Sequence, residues 1–244
     1  MPPDQRPPVS RSLSALCAGE VEVQGRMPWS SNATFLVTVR PADGSENEPL
    51  VAVYKPAAGE RPLWDFPGGL YRREIAAYEL SAALGWNFVP ETIERADAPM
   101  GPGALQRFVD ADFEQHYFTL LEEDRFHRPL KRMATFDVVA NNADRKGGHC
   151  LVDDEGQVWG IDHGLCFHPE PKLRTVIWDF AGERVDDDDL TDLARLVDDG
   201  IPPSLHEHLR PNEVAALKAR IRRLLDRARL PEPRSDRPYP WPLV

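Results

Sequence analysis

Long apolar runs, paired cysteines and an excess of positive charge are all missing from this 244-residue chain. No stretch approaches the length of a membrane span, and the N-terminus carries no apolar segment of signal-peptide length. The three cysteines, Cys17, Cys150 and Cys166, are odd in number and match no disulfide framework, which points to a reducing, cytoplasmic compartment. The formal net charge of -11 repels phosphate backbones, so nucleic acid is excluded as a partner, and it also disfavours stable attachment to an anionic membrane. There is no internal repeat, no Walker loop and no G-x-G-x-x-G loop. A soluble protein is expected.

What is present suffices for a sizeable core: 41% of the residues are hydrophobic, enough for one domain or two small lobes. Of the 24 prolines, four crowd into residues 1–9 and five into 230–244, so residues 1–18 and 231–244 read as irregular, loosely held tails. Between them, Gly19 to Gln24, Thr34 to Arg40 and Leu50 to Tyr54 read as an antiparallel meander, with a turn over Pro41 to Asn47. Leu70 to Leu84 has a helical apolar stripe ended by Gly85. Val89 to Arg95 and Gly103 to Val109 add two short strands. Helices are predicted over Phe118 to Asp124, Leu130 to Asn141, Leu190 to Asp198 and Glu213 to Leu230, the last with Asn212 as N-cap. Cys150 to Asp153 and Val158 to Ile161 form a hairpin around Asp154-Glu155-Gly156. The plan is α+β: an N-terminal sheet lobe over 19–108 with one helix, then a mostly helical lobe over 109–230, with a hinge near Leu105 to Asp110.

Chemistry concentrates in the second half. Asp144 lies in a polar loop before one short strand, and Asp162 ends the next. A hairpin brings such positions together, and two acids at one mouth suit phosphoryl transfer: one orients a nucleophile while the other holds a divalent cation. Upstream, Lys55 ends the strand Val51 to Tyr54, and Glu74 follows on the helix, 19 residues later. A Lys–Glu pair of this kind fixes a cation beside nucleotide phosphates. The loop Gly25 to Asn32, with Ser30 and Ser31, offers hydroxyls and backbone N–H groups to phosphate.

The order of these motifs is that of the kinases. Asn142-Ala143-Asp144-Arg145, followed by Gly160-Ile161-Asp162-His163-Gly164-Leu165-Cys166-Phe167, resembles the type II phosphatidylinositol 4-kinases and their bacterial phosphatidylinositol 3- and 4-kinase-like relatives. Leu70 to Tyr78 is similar to the glutamate helix of that group. The resemblance runs from about Gly19 to Val185. It implies a two-lobed protein-kinase-like fold with ATP in the cleft and transfer of the γ-phosphoryl group to a hydroxyl. Lys55 is then expected to contact the nucleotide phosphates with Glu74 as partner, and Gln106, Arg107 and Phe108 to border the adenine. Asp144 orients the acceptor hydroxyl, Asp162 binds Mg²⁺, and His163 to Glu183 form the activation segment.

Two departures matter. His149 occupies the place where the family has a metal-binding Asn, and imidazole is a poor ligand for Mg²⁺. Asn141 or Asn142 standing in, direct contact of His149 with phosphate, or a preference for Mn²⁺ are the alternatives. The cysteine-rich, lipid-modified insertion of the eukaryotic lipid kinases is also missing, which favours a soluble acceptor over a lipid. Competing functions are a nucleotide-binding pseudokinase and a kinase-fold transferase of another group, such as AMP. A zinc site built from His149, Cys150, His163, Cys166 and His168 matches no common spacing. His206-Glu207-His208 reads as a surface turn, and Asp186 to Asp189 as an acid-stabilised helix start.

Overall fold

A computed structural model describes residues 11–28, 30, 32–41, 48–233 and 236–244. Ser31 and most of the expected turn at 41–47 lie outside the described residues. The chain divides into two compact units, Met1–Leu63 with Glu91–Phe108, and Trp64–Pro90 with Val109–Val244.

The first unit is a five-stranded antiparallel sheet preceded by a helix, α1 (Arg11–Ala18). Its strands are β1 (Glu20–Arg26), β2 (Phe35–Arg40), β3 (Leu50–Pro56), β4 (Thr92–Arg95) and β5 (Gly103–Arg107), in the order β1-β2-β3-β5-β4. Alternation sends Val37, Val39, Ala52, Tyr54 and Leu105 to one face, where they pack with Leu16 of α1. The helix was not expected within a proline-rich tail. It is held because Leu16 is fully buried and because the Arg95 guanidinium donates to the carbonyls of Leu16 and Gly19, satisfying the helix C-terminus.

The second unit holds the remaining helices and one hairpin. These are α2 (Leu70–Leu84), α3 (Tyr117–Leu120), α4 (Asp124–Ala140), the strands β6 (Cys150–Val152) and β7 (Val158–Gly160), and α5 (Asp187–Asp198), α6 (Pro203–His208) and α7 (Pro211–Arg227). Helix α2 was expected to belong with the sheet. Its Ala76, Ala77, Leu80 and Leu84 are instead part of the apolar core that includes Leu130, Met133 and Phe136 of α4. Gly85 ends α2 in the left-handed conformation, φ 76°, at the expected residue.

Other boundaries shift for identifiable reasons. Helix α4 begins at Asp124 and accommodates Pro129, where the sequence reading broke it; the proline sits in the second turn, so little of the hydrogen-bond ladder is lost. Helix α7 is capped by Arg210, whose backbone N–H is met by Glu213, so Asn212 is already inside the helix. His206 to His208 are in α6. The C-terminal segment is irregular as expected but tied down. The Pro238 carbonyl accepts from Thr175 N and Trp178 Nε1, and the Leu243 carbonyl accepts from Gly147 N at 2.7 Å. No helix among the described residues is long and apolar enough to cross a membrane.

Candidate active site

The centre of the second unit is a loop, residues 141–149, hung from the end of α4. Asn141 leaves the helix in the left-handed region (φ 55°). Its amide donates to the carbonyls of His168 and Glu170 and accepts from Lys172 N. Asn142 donates to Asp137 and accepts the backbone N–H of Asp144 at 3.0 Å. Both amides are therefore engaged by the protein and help to hold the loop.

Arg145 is not a surface partner of Asp144. Its side chain is fully buried and paired with the equally buried Asp137, with Nη2 to Oδ1 at 3.0 Å. Nη1 donates to the carbonyls of Ile161 and His149, and Nη2 to Nε2 of His163 at 2.7 Å. One guanidinium thus links α4, the loop and the residues that follow β7. A pair this dry returns its desolvation cost only because every arm is satisfied. Backbone bonds add a second clasp. Arg174 N donates to Asn142 O, Arg145 N to Arg174 O and Val176 N to Arg145 O. The sequence reading missed Asp137, although a carboxylate inside the apolar run Phe136 to Val139 was the available signal.

This frame presents two acids. Asp144 lies 3.3 Å from the ammonium of Lys146, a partner not singled out from sequence. Burial pushes the Asp144 carboxyl up to about 6, with the neighbouring Asp162 charge adding to the rise and Lys146 and Arg145 opposing it. Asp162, at φ 59°, is about half exposed and holds its carboxylate 3.4 Å from Nε2 of His149. His149 Nδ1 accepts the backbone N–H of Lys146, so a neutral imidazole carries its proton on Nε2, facing Asp162. In this tautomer the His149 Nε2–H faces the Asp162 carboxylate. Asp162 offers carboxylate oxygens, the ligand type that a hard divalent cation requires. The next residue is fixed from α2: Glu74, buried, accepts the backbone N–H of His163 at 2.9 Å. Glu79 of the same helix accepts from Ser204.

The other expected nucleotide residues belong to the first unit. Lys55 is on β3, opposite Ala104 of β5. Ser30 shares a hydrogen bond with Thr34. Gln106 is buried and donates to Thr92, Arg107 pairs with Glu91 at 2.6 Å, and Phe108 N donates to Val51 O. Gln106 and Arg107 thus join β5 to the segment that leads into and forms β4. Among the described residues no group of three or more His, Cys, Asp or Glu is arranged to hold a metal ion. Cys150 and Cys166 are instead buried in the core.

Similarity to known proteins agrees with this geometry. A crystal structure of the Helicobacter pylori proinflammatory kinase CtkA superposes with a TM-score of 0.51 at 14% identity, covering 87% of this chain and 93% of that one. The Golgi casein kinase, in a structure with Mn/ADP bound, gives a TM-score of 0.52 at 12% identity over 85% of this chain and 73% of that one. The fold is therefore the two-lobed protein-kinase-like one. The model of the family described as phosphatidylinositol 3- and 4-kinase matches residues 76–221, a stretch containing Asp144, His149 and Asp162. Protein Rv2133c of Mycobacterium tuberculosis (strain ATCC 25618 / H37Rv) is 43% identical over 266 residues, 94% of each chain. This chain belongs to the phosphatidylinositol 3- and 4-kinase family.

Proposed function

We propose that the protein is an ATP-dependent phosphotransferase that moves the γ-phosphoryl group to a hydroxyl acceptor. The observation that carries this reading is the pair Asp144 and Asp162 on one buried frame, the first beside Lys146 and the second beside His149. Asp144, ionised above about pH 6, accepts the proton of the acceptor hydroxyl, and Lys146 holds its carboxylate in place. Asp162 is the ligand for Mg²⁺ or Mn²⁺, and His149 donates to it and fixes its orientation. The cation, when bound, neutralises charge on the phosphates. The Mn/ADP-bound relative supports both ligand classes. Lys55 is assigned to the nucleotide phosphates and Glu74 to holding the backbone beside Asp162. The free thiols Cys17, Cys150 and Cys166 support a cytoplasmic setting.

The test is ATP turnover with Mg²⁺ or Mn²⁺ against a panel of soluble polyols, hydroxyl metabolites and phosphoinositides. Asp162→Ala is expected to abolish metal-dependent turnover, whereas Asp144→Asn loses turnover yet binds ATP as wild type does. Equal turnover in wild type and both variants would refute the assignment. Identification of the transferred group by mass spectrometry separates phosphoryl from AMP transfer.

A further inference from the structure

The chain has 40 acidic and 29 basic residues, so arginines are expected to find carboxylates readily. Ten described ones do, among them the buried Arg73 and Arg145. Even the basic stretch at 125–132 is neutralised: Arg128 pairs with Asp188, Lys131 with Glu183 and Asp186, and Arg132 with Asp189. Six arginines that pair with no carboxylate among the described residues line one cavity of about 460 Å³ within the second unit. They are Arg174, Arg220, Arg223, Arg227, Arg229 and Arg237.

The cavity lies between the segment 169–174, one face of α7, residues 229–232 and Arg237. Arg220, Arg223 and Arg227 fall on one stripe of α7 by their spacing of three and four residues. Like charges so placed repel, and here the effect is visible. Arg220 is brought down to about 10, chiefly by burial, with the Arg223 charge adding to the fall. Its Nε and Nη1 donate to the carbonyls of Val139 and His168, while the buried Nη2 has no hydrogen-bond partner. Arg229 spends one donor on the Gly182 carbonyl. None of the six ion-pairs with a carboxylate among the described residues. Lys172, also on the wall, differs in being paired with Asp65. The single acid on the wall is Glu232.

Between the arginines the wall is apolar, from Val138, Leu173, Ala216, Ala219 and the ring of Trp178. An uncompensated ring of forked cationic donors around an apolar floor fits a ligand with the opposite arrangement. The volume is that of a small-molecule site. We propose that this cavity binds an organic phosphate, its phosphate groups held by the arginines and its carbon frame against Trp178 and Leu173. Occupancy would bear on the candidate active site, because Arg174 is clasped through its backbone to Asn142 and Arg145. The proposal does not depend on the phosphotransferase reading, and its test involves no turnover.

Isothermal titration of the full chain with pyrophosphate, in EDTA, measures the interaction directly. Arg223 and Arg227 are exposed, so the double variant R223Q/R227Q keeps the fold. It is expected to bind pyrophosphate about tenfold more weakly or worse, as the loss of charge-assisted phosphate contacts requires. Arg222 is equally exposed on α7 but does not line the cavity, and R222Q should bind as wild type does. A second arm uses phosphatidylcholine vesicles containing phosphatidic acid. Co-sedimentation that the double variant loses assigns the phosphate to a lipid headgroup; its absence, with pyrophosphate still bound, assigns a soluble organic phosphate. No binding of pyrophosphate, equal binding by all three proteins, or an equal loss in R222Q overturns the proposal.

Discussion

Replacing Lys146 with methionine removes the ammonium that lies 3.3 Å from Asp144 while keeping most of the side chain's reach. At that separation the attraction is roughly 1.3 kcal/mol with full aqueous screening, and roughly 5 kcal/mol at an effective dielectric of about 20. The two side chains are 22% and 26% exposed, and the freed carboxylate regains water, so the lower figure governs. One pKa unit corresponds to about 1.4 kcal/mol, which makes the expected displacement roughly one unit upward. The Asp144 carboxyl, already raised to about 6 by burial, should then titrate near 7. Two measurements report it. The acid limb of the pH profile for ATP turnover should move upward by that amount in Lys146→Met and return in Lys146→Arg. Carbon NMR of labelled aspartate, with the Asp144→Asn spectrum identifying the resonance, should show the same displacement whether or not the acceptor is known. A resonance that titrates at the same pH in wild type and Lys146→Met would refute the electrostatic account of this loop.

Two further outcomes follow from the same frame. Asp144 is raised above its ordinary value of 3.8, so the stability it contributes is present below about pH 4 and lost as pH rises through about 6. Asp144→Asn should therefore be the more stable protein at pH 7, by on the order of 2 kcal/mol, with the gap closing near pH 4; urea unfolding at the two pH values checks this. Asp137→Asn leaves the fully buried Arg145 guanidinium without its charge partner and should cost about 3–5 kcal/mol. An unchanged melting temperature would mean that the pair does not anchor the loop.

The parts of this fold that were legible from sequence are those whose cause is local. The stripe from Leu70 to Leu84 and the terminator Gly85 specify α2 to the residue. The alternation in β2 and β3 likewise identifies the sheet strands. Helix α1 was invisible because its stabilising donor, Arg95, is about eighty residues away in the chain. The unit to which α2 belongs was misjudged because a one-sided apolar stripe does not name the surface it will cover. In the site, the order of Asp144 and Asp162 was readable as a motif. The role of His149 was not, because the proton position follows from a backbone N–H three residues back, at Lys146. The arginine cavity was equally hidden. It gathers residues from separate stretches, while Arg128, Lys131 and Arg132 of the basic stretch are paired with Asp186, Asp188 and Asp189.

The bond from Gly147 to the Leu243 carbonyl has a practical corollary. Gly147 and Gly148 separate Lys146 from His149, and the methyls of Val244 fill the space beside both. Deleting Leu243 and Val244 would release the segment that positions Asp144 and His149. The behaviour of the loop is therefore tied to a stretch almost a hundred residues further along the chain, and assays of the loop require residues 243 and 244 to be present.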